Sequence, residues 1–140
     1  FYSKPLELYQ LEVNGGTGFQ SGCNLKITNS LTLQGTSTSR LIVKSSFDGV
    51  ERKWDITGAT TNVDNIDFQD QKFTPTSISY SGTGNSSFGN LGGNSGITFD
   101  PAVTRYWVGG AGNWNSTTKW STSSGGSSGA SIPFKRTDSL

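Results

Sequence analysis

Apolar and polar side chains alternate along residues 6–13, with Leu6, Leu8, Leu11 and Val13 set among charged and polar neighbours. A period of two sends alternate side chains to opposite faces of a strand. The phase slips at Tyr9-Gln10, where a bulge is expected, and Asn14-Gly15-Gly16 ends the run. Similar pulses occupy 25–27, 31–33, 41–43, 54–56, 63–68, 78–80 and 97–99, each bounded by Asn, Gly, Ser or Thr. No stretch sustains apolar residues at i, i+3, i+4 and i+7. The pattern predicts an all-β chain with many turns.

Short strands at this spacing fit a β-solenoid or a β-sandwich. Hairpin signals of the Asn-Gly or Asp-Gly type are confined to Asn14-Gly15 and Asp48-Gly49, whereas a sandwich needs them repeatedly. Thr and Asn beside the apolar pairs suit stacked coils, in which like side chains form ladders at ~4.8 Å. The solenoid is favoured, and the sandwich stays open as the alternative.

Composition narrows the function. A chain of 140 residues has room for one domain and a core. A net charge of +1 offers no basic field, which argues against nucleic acid as a partner. No apolar run approaches the ~18 residues of a membrane span, so no insertion is expected. Histidine is absent, which removes a Ser-His-Asp triad and any His-ligated metal. The single Cys23 cannot form an internal disulfide and reads as a small buried apolar residue. No metal or cofactor is expected. The chain opens on Phe1-Tyr2 with no methionine and no signal-peptide pattern, so a segment of a longer polypeptide is expected.

The densest chemistry lies at 105–120, where Trp107, Trp114 and Trp120 are spaced by Gly, Asn and hydroxyl residues beside Tyr106. Trp buries a large apolar surface while its indole N–H needs a partner. Glycines at 109, 110 and 112 permit backbone shapes closed to other residues. Two roles fit Tyr106, Trp107, Trp114 and Trp120: an aromatic plug between structural modules, which is favoured, or a platform that stacks on sugar rings.

Three segments in order carry a resemblance: Asp64-Asn-Ile-Asp-Phe-Gln-Asp70, then Gly89-Asn-Leu-Gly-Gly-Asn-Ser-Gly-Ile-Thr-Phe99, then the Trp-rich segment ending in Ser-Gly-Gly and Pro133. Together they resemble a module repeated in tailed-bacteriophage virion proteins and found also in large bacterial surface proteins. The likeness spans about residues 24–140 and departs at Leu91, where a small residue or cysteine is expected. It implies a right-handed parallel β-helix in a fibre or appendage. On this reading 1–100 form a solenoid module, and 101–140 form a Trp/Gly-rich junction with the start of the next module at Asp138.

Asp64, Asp67 and Asp70 raise the question of a hydrolase, because glycoside cleavage uses two carboxylates at a set separation. On one extended strand Asp64 and Asp67 face opposite ways, while Asp64 and Asp70 lie ~20 Å apart. A working pair needs an acid from another coil, such as Asp55 or Asp100. Solvated or turn-capping carboxylates are the favoured reading, and the Ca²⁺-loop pattern is not met. The glycine-rich 82–84 and 89–96 lack the Lys-Ser/Thr of a phosphate loop and read as a long turn between faces. Asn85-Ser-Ser and Asn115-Ser-Thr match the glycosylation tripeptide, which occurs often by chance in chains rich in Asn and Ser.

The resulting expectation is a non-enzymatic structural and binding segment of a phage tail fibre or tail-associated protein, located in the virion or outside the cell. Expected partners are other virion proteins, further repeats of the same chain, a homo-oligomer such as a trimer, and a cell-surface glycan. A bacterial adhesin repeat and a polysaccharide-degrading tailspike are the alternatives.

Overall fold

Among the described residues before 100 there are nine strands, and every pairing among them is parallel. The computed structural model describes residues 4–16, 18–36, 38–75, 77–79, 88–99 and 103–133. In chain order the strands are β1 (Leu6–Asn14), β2 (Gly18–Ser21), β3 (Leu25–Gln34), β4 (Leu41–Ser45) and β5 (Arg52–Asp55). They continue as β6 (Thr60–Asp64), β7 (Ile66–Gln69), β8 (Gln71–Thr74) and β9 (Phe88–Asn90). Parallel neighbours cannot be joined by tight hairpins, so the chain must travel around and return. It does so as a β-solenoid of about three turns, a parallel β-helix. The two-layer sandwich is thereby set aside.

Three ladders form the faces. β2, β4, β7 and β9 stack on one, while β5 lies between the first half of β3 and β8, and β6 pairs with the second half of β3. Residues at equivalent positions fall on one another: Leu6, Leu25, Trp54 and Phe73 form one column. Val13, Leu33 and Val63 form a second, and Phe19, Val43 and Phe68 a third. Seven of these ten side chains are buried and share one core with Ile27, Leu31, Leu41 and Ile66, Val13 and Phe19 pack against it partly buried, and Leu6 is exposed. Rings of Trp54 and Phe73 lie 5.1 Å apart, and Phe68 meets the edges of Phe73 and Phe88 at 5.7 and 5.2 Å. Such pairs add to the area they remove from water.

Several sequence expectations change in detail. The register shift falls at Leu8/Gln10 as the phase slip predicts, but the extra residue belongs to β3. The pulses 25–27 and 31–33 are halves of that one strand. The run 63–68 is instead two strands, because Asn65 adopts φ 52° and turns the corner between β6 and β7. Of 78–80, Ile78 makes a single parallel bridge to Ile97, and Tyr80 lies outside the described residues. Gly89 and Asn90 belong to β9, so the long turn is shorter than 89–96 suggested. The turn that remains is knitted by Asn94, whose side chain accepts from the Gln71 N–H at 2.9 Å and donates to Phe68 O at 2.8 Å. Residues 82–84 and Asn85 lie outside the described residues. Cys23 is half-buried and packs against the core.

Contacts group the chain into two units, Phe1–Asp100 and Pro101–Leu140. The second contains two short strands, β10 (Tyr106–Trp107) and β11 (Trp120–Ser121), with a 3-10 turn at Thr117–Lys119.

Candidate functional site

β10 and β11 pair antiparallel, which sets Trp107 opposite Trp120 and Tyr106 opposite Ser121. The loop between them is shaped by glycine. A Cβ on Gly109 would lie 2.5 Å from Lys119 Cδ, and one on Gly112 would lie 2.4 Å from Lys119 Cε. A side chain at either position would displace the Lys119 stem, which lies across this loop with its ammonium donating to Gly109 O. Gly110, at φ +50°, turns its carbonyl to accept the Trp107 indole N–H at 2.7 Å. The Trp120 indole N–H donates to Trp114 O at 2.8 Å. Both bonds tie an indole to backbone and hold its ring in place.

Trp120 is the hub. Its ring meets Trp107 at 5.1 Å and Trp114 at 4.6 Å, both edge-to-face. It is 1 % exposed, whereas Tyr106, Trp107 and Trp114 are 37, 40 and 51 % exposed. The structure therefore brings all four sequence-selected aromatics together and divides their roles. Trp120 is buried within its own unit, the other three are partly exposed, and all four line a cleft of about 540 Å³. Arg105, Ser124 and Gly125 complete its wall.

Arg105 is the member that sequence reasoning passed over. Its Nε donates to Ser131 O at 3.0 Å, one terminal nitrogen to Thr104 O at 3.0 Å, and the other to Ser131 Oγ at 2.8 Å. All three acceptors are neutral. The available signal was charge: residues 101–133 contain Arg105 and Lys119 and no Asp or Glu.

The carboxylates fall elsewhere. Asp67 is not solvated, contrary to expectation: it is fully buried and takes Arg40 Nε at 2.8 Å. Gly89 stacks on it in β9, where a Cβ would come within 2.1 Å of Asp67 Oδ1. Strand alternation misled because Asn65 and Asp70, at φ 52° and 55°, break 64–70 into separate segments. Asp70 does cap a turn, accepting the Gly49 N–H at 2.9 Å. Asp55 accepts from Thr57 Oγ1 at 2.6 Å, and Asp100 lies outside the described residues. Among the described residues no group of three or more His, Cys, Asp or Glu gathers to hold a metal.

No family model, curated protein or solved structure matches this chain.

Proposed function

We propose that the chain is a structural and surface-binding segment of a bacteriophage virion appendage, a tail fibre or tail-associated protein, acting outside the cell. The observation that carries this reading is the column Leu6, Leu25, Trp54 and Phe73. Each coil advances the axis by one strand spacing of ~4.8 Å, so coils build length and stiffness at constant cross-section. The resemblance of 64–70, 89–99 and 105–133 to phage virion modules supplies the carrier. Further repeats, other virion proteins and a homo-oligomer are the partners in this reading, and the exposed tryptophans supply contact with a host-surface glycan.

Involvement of Asp67 and Asp70 in internal bonds favours a scaffold over a glycan-cleaving tailspike. Immunogold microscopy with antibody to this chain, applied to virions and to host envelopes, tests the proposal. Label along a tail appendage is the expected result. Label restricted to the bacterial surface would favour the adhesin repeat and contradict the virion assignment.

A further inference from the structure

We infer that the cleft of the second unit takes an acidic glycan, with a pyranose ring on Trp107 and Trp114 and its carboxylate on Arg105. The inference rests on the glycan-contact reading above and specifies the sugar's charge. Three observations converge on it. The first is a prepared aromatic surface. Trp107 is fixed by its bond to Gly110 O and by the edge of Trp120, yet keeps 40 % of its surface exposed. Little side-chain freedom remains to be lost when a ring lands there.

The second is a guanidinium bonded to neutral groups. Arg105 has no carboxylate partner among the described residues, and its three bonds all end on neutral oxygens. A guanidinium has five N–H donors in a fixed fork. One N–H is left on each terminal nitrogen, and donors of this kind form charge-assisted bonds to a carboxylate. Third, polar handles stand free at the rim: the Trp114 indole N–H and the Tyr106 hydroxyl have no partner among the described residues, and both residues line the cleft. Sugar hydroxyls suit both. Single-stranded nucleic acid also stacks on aromatics, but it needs a positive track along its backbone. The sequence of 101–140 holds four cations, Arg105, Lys119, Lys135 and Arg136, against Asp138, and a net charge of +1 over the whole chain does not make such a track.

The test is equilibrium binding of the full chain to an oligogalacturonate, to the uncharged galactan of equal length, and to a single-stranded oligonucleotide. The inference expects the oligogalacturonate to bind at least roughly tenfold tighter than the galactan, and to weaken as salt is raised. Arg105→Gln should abolish that preference. Trp114→Ala removes a stacking ring and should weaken both sugars without unfolding the unit, because Trp120 is held through the Trp114 backbone carbonyl, which the variant keeps. Equal binding of the two sugars overturns the acidic specificity and leaves the glycan reading standing. No binding of either sugar overturns both, and oligonucleotide binding as tight as that of the oligogalacturonate overturns the choice of carbohydrate. If Arg105→Gln loses the near-ultraviolet signal beyond the share of Trp54, the salt titration of the unaltered chain decides: salt-independent binding rejects the role of Arg105.

Discussion

The Trp54 indole N–H donates to the Gln71 side-chain oxygen at 2.6 Å, and neither residue has any exposed surface. The same oxygen accepts from Ser21 Oγ at 3.2 Å, while Gln71 Nε2 donates to Gln69 O and Asp70 O at 2.8 and 2.9 Å. One amide thus joins β2, β5 and β8 with every polar atom satisfied. Gln71→Leu would strand the indole N–H and the Ser21 hydroxyl in the core. A loss of about 2–4 kcal/mol is expected in urea unfolding, since each orphaned buried group costs ~1–3 kcal/mol. Adding Trp54→Phe, which removes the stranded donor, should make the Gln71→Leu step cheaper. Unchanged stability in the single variant would contradict the network.

The Arg40–Asp67 pair has 8 % and 0 % side-chain exposure. Removing one partner of such a pair leaves a buried charge and costs about 3–5 kcal/mol. Arg40→Met or Asp67→Asn alone should therefore destabilise strongly. In a double-mutant cycle the Arg40→Met/Asp67→Asn variant should lose less than the sum of the two, and additive losses would show that the pair is uncoupled.

In the second unit, equal chemistry predicts unequal outcomes. Trp120→Ala removes the buried hub and should cost about 3–5 kcal/mol, with the near-ultraviolet tryptophan signal reduced to the share of Trp54 in the first unit. Trp114→Ala removes a ring that is 51 % exposed and should leave the unit folded. Comparable destabilisation by both would contradict the division of roles.

Asp55 titrates below its ordinary value of 3.8, because the Thr57 hydroxyl, and then the Thr57 N–H, bond to the ionised carboxyl. A lowered folded-state value means that stabilisation is complete above 3.8 and fades as pH falls through the folded value. Thr57→Val should raise the Asp55 carboxyl toward 3.8 in an NMR titration. A titration identical to that of the unaltered chain would show that the hydroxyl has no part in the shift.

Legibility in the sequence followed the number of inward side chains per strand. β3 and β4 present two or more apolar residues at period two and were plain: Leu25, Ile27, Leu31, Leu33, Leu41 and Val43. β2, β8 and β9 each bring a single apolar residue, Phe19, Phe73 or Phe88, and one residue has no period. Parallel pairing was visible indirectly, through the scarcity of hairpin turns. Asp67 was misjudged because the left-handed Asn65 sits between it and Asp64, and non-glycine residues rarely adopt that backbone. The aromatic cluster was legible as composition, but the separation of buried Trp120 from exposed Trp107 and Trp114 depends on folding of the glycine loop.

Strand direction is the premise beneath the rest, and β1 against β3 tests it. The parallel register sets Glu7 beside Lys26 and Glu12 beside Thr32. In a background carrying Cys23→Ser, paired cysteines at those positions should oxidise readily, since neighbouring strands bring Cα atoms within disulfide reach. The account predicts efficient cross-links for E7C/K26C and E12C/T32C and none for E7C/T32C or E12C/K26C. The reverse outcome would mean an antiparallel pair, and no solenoid.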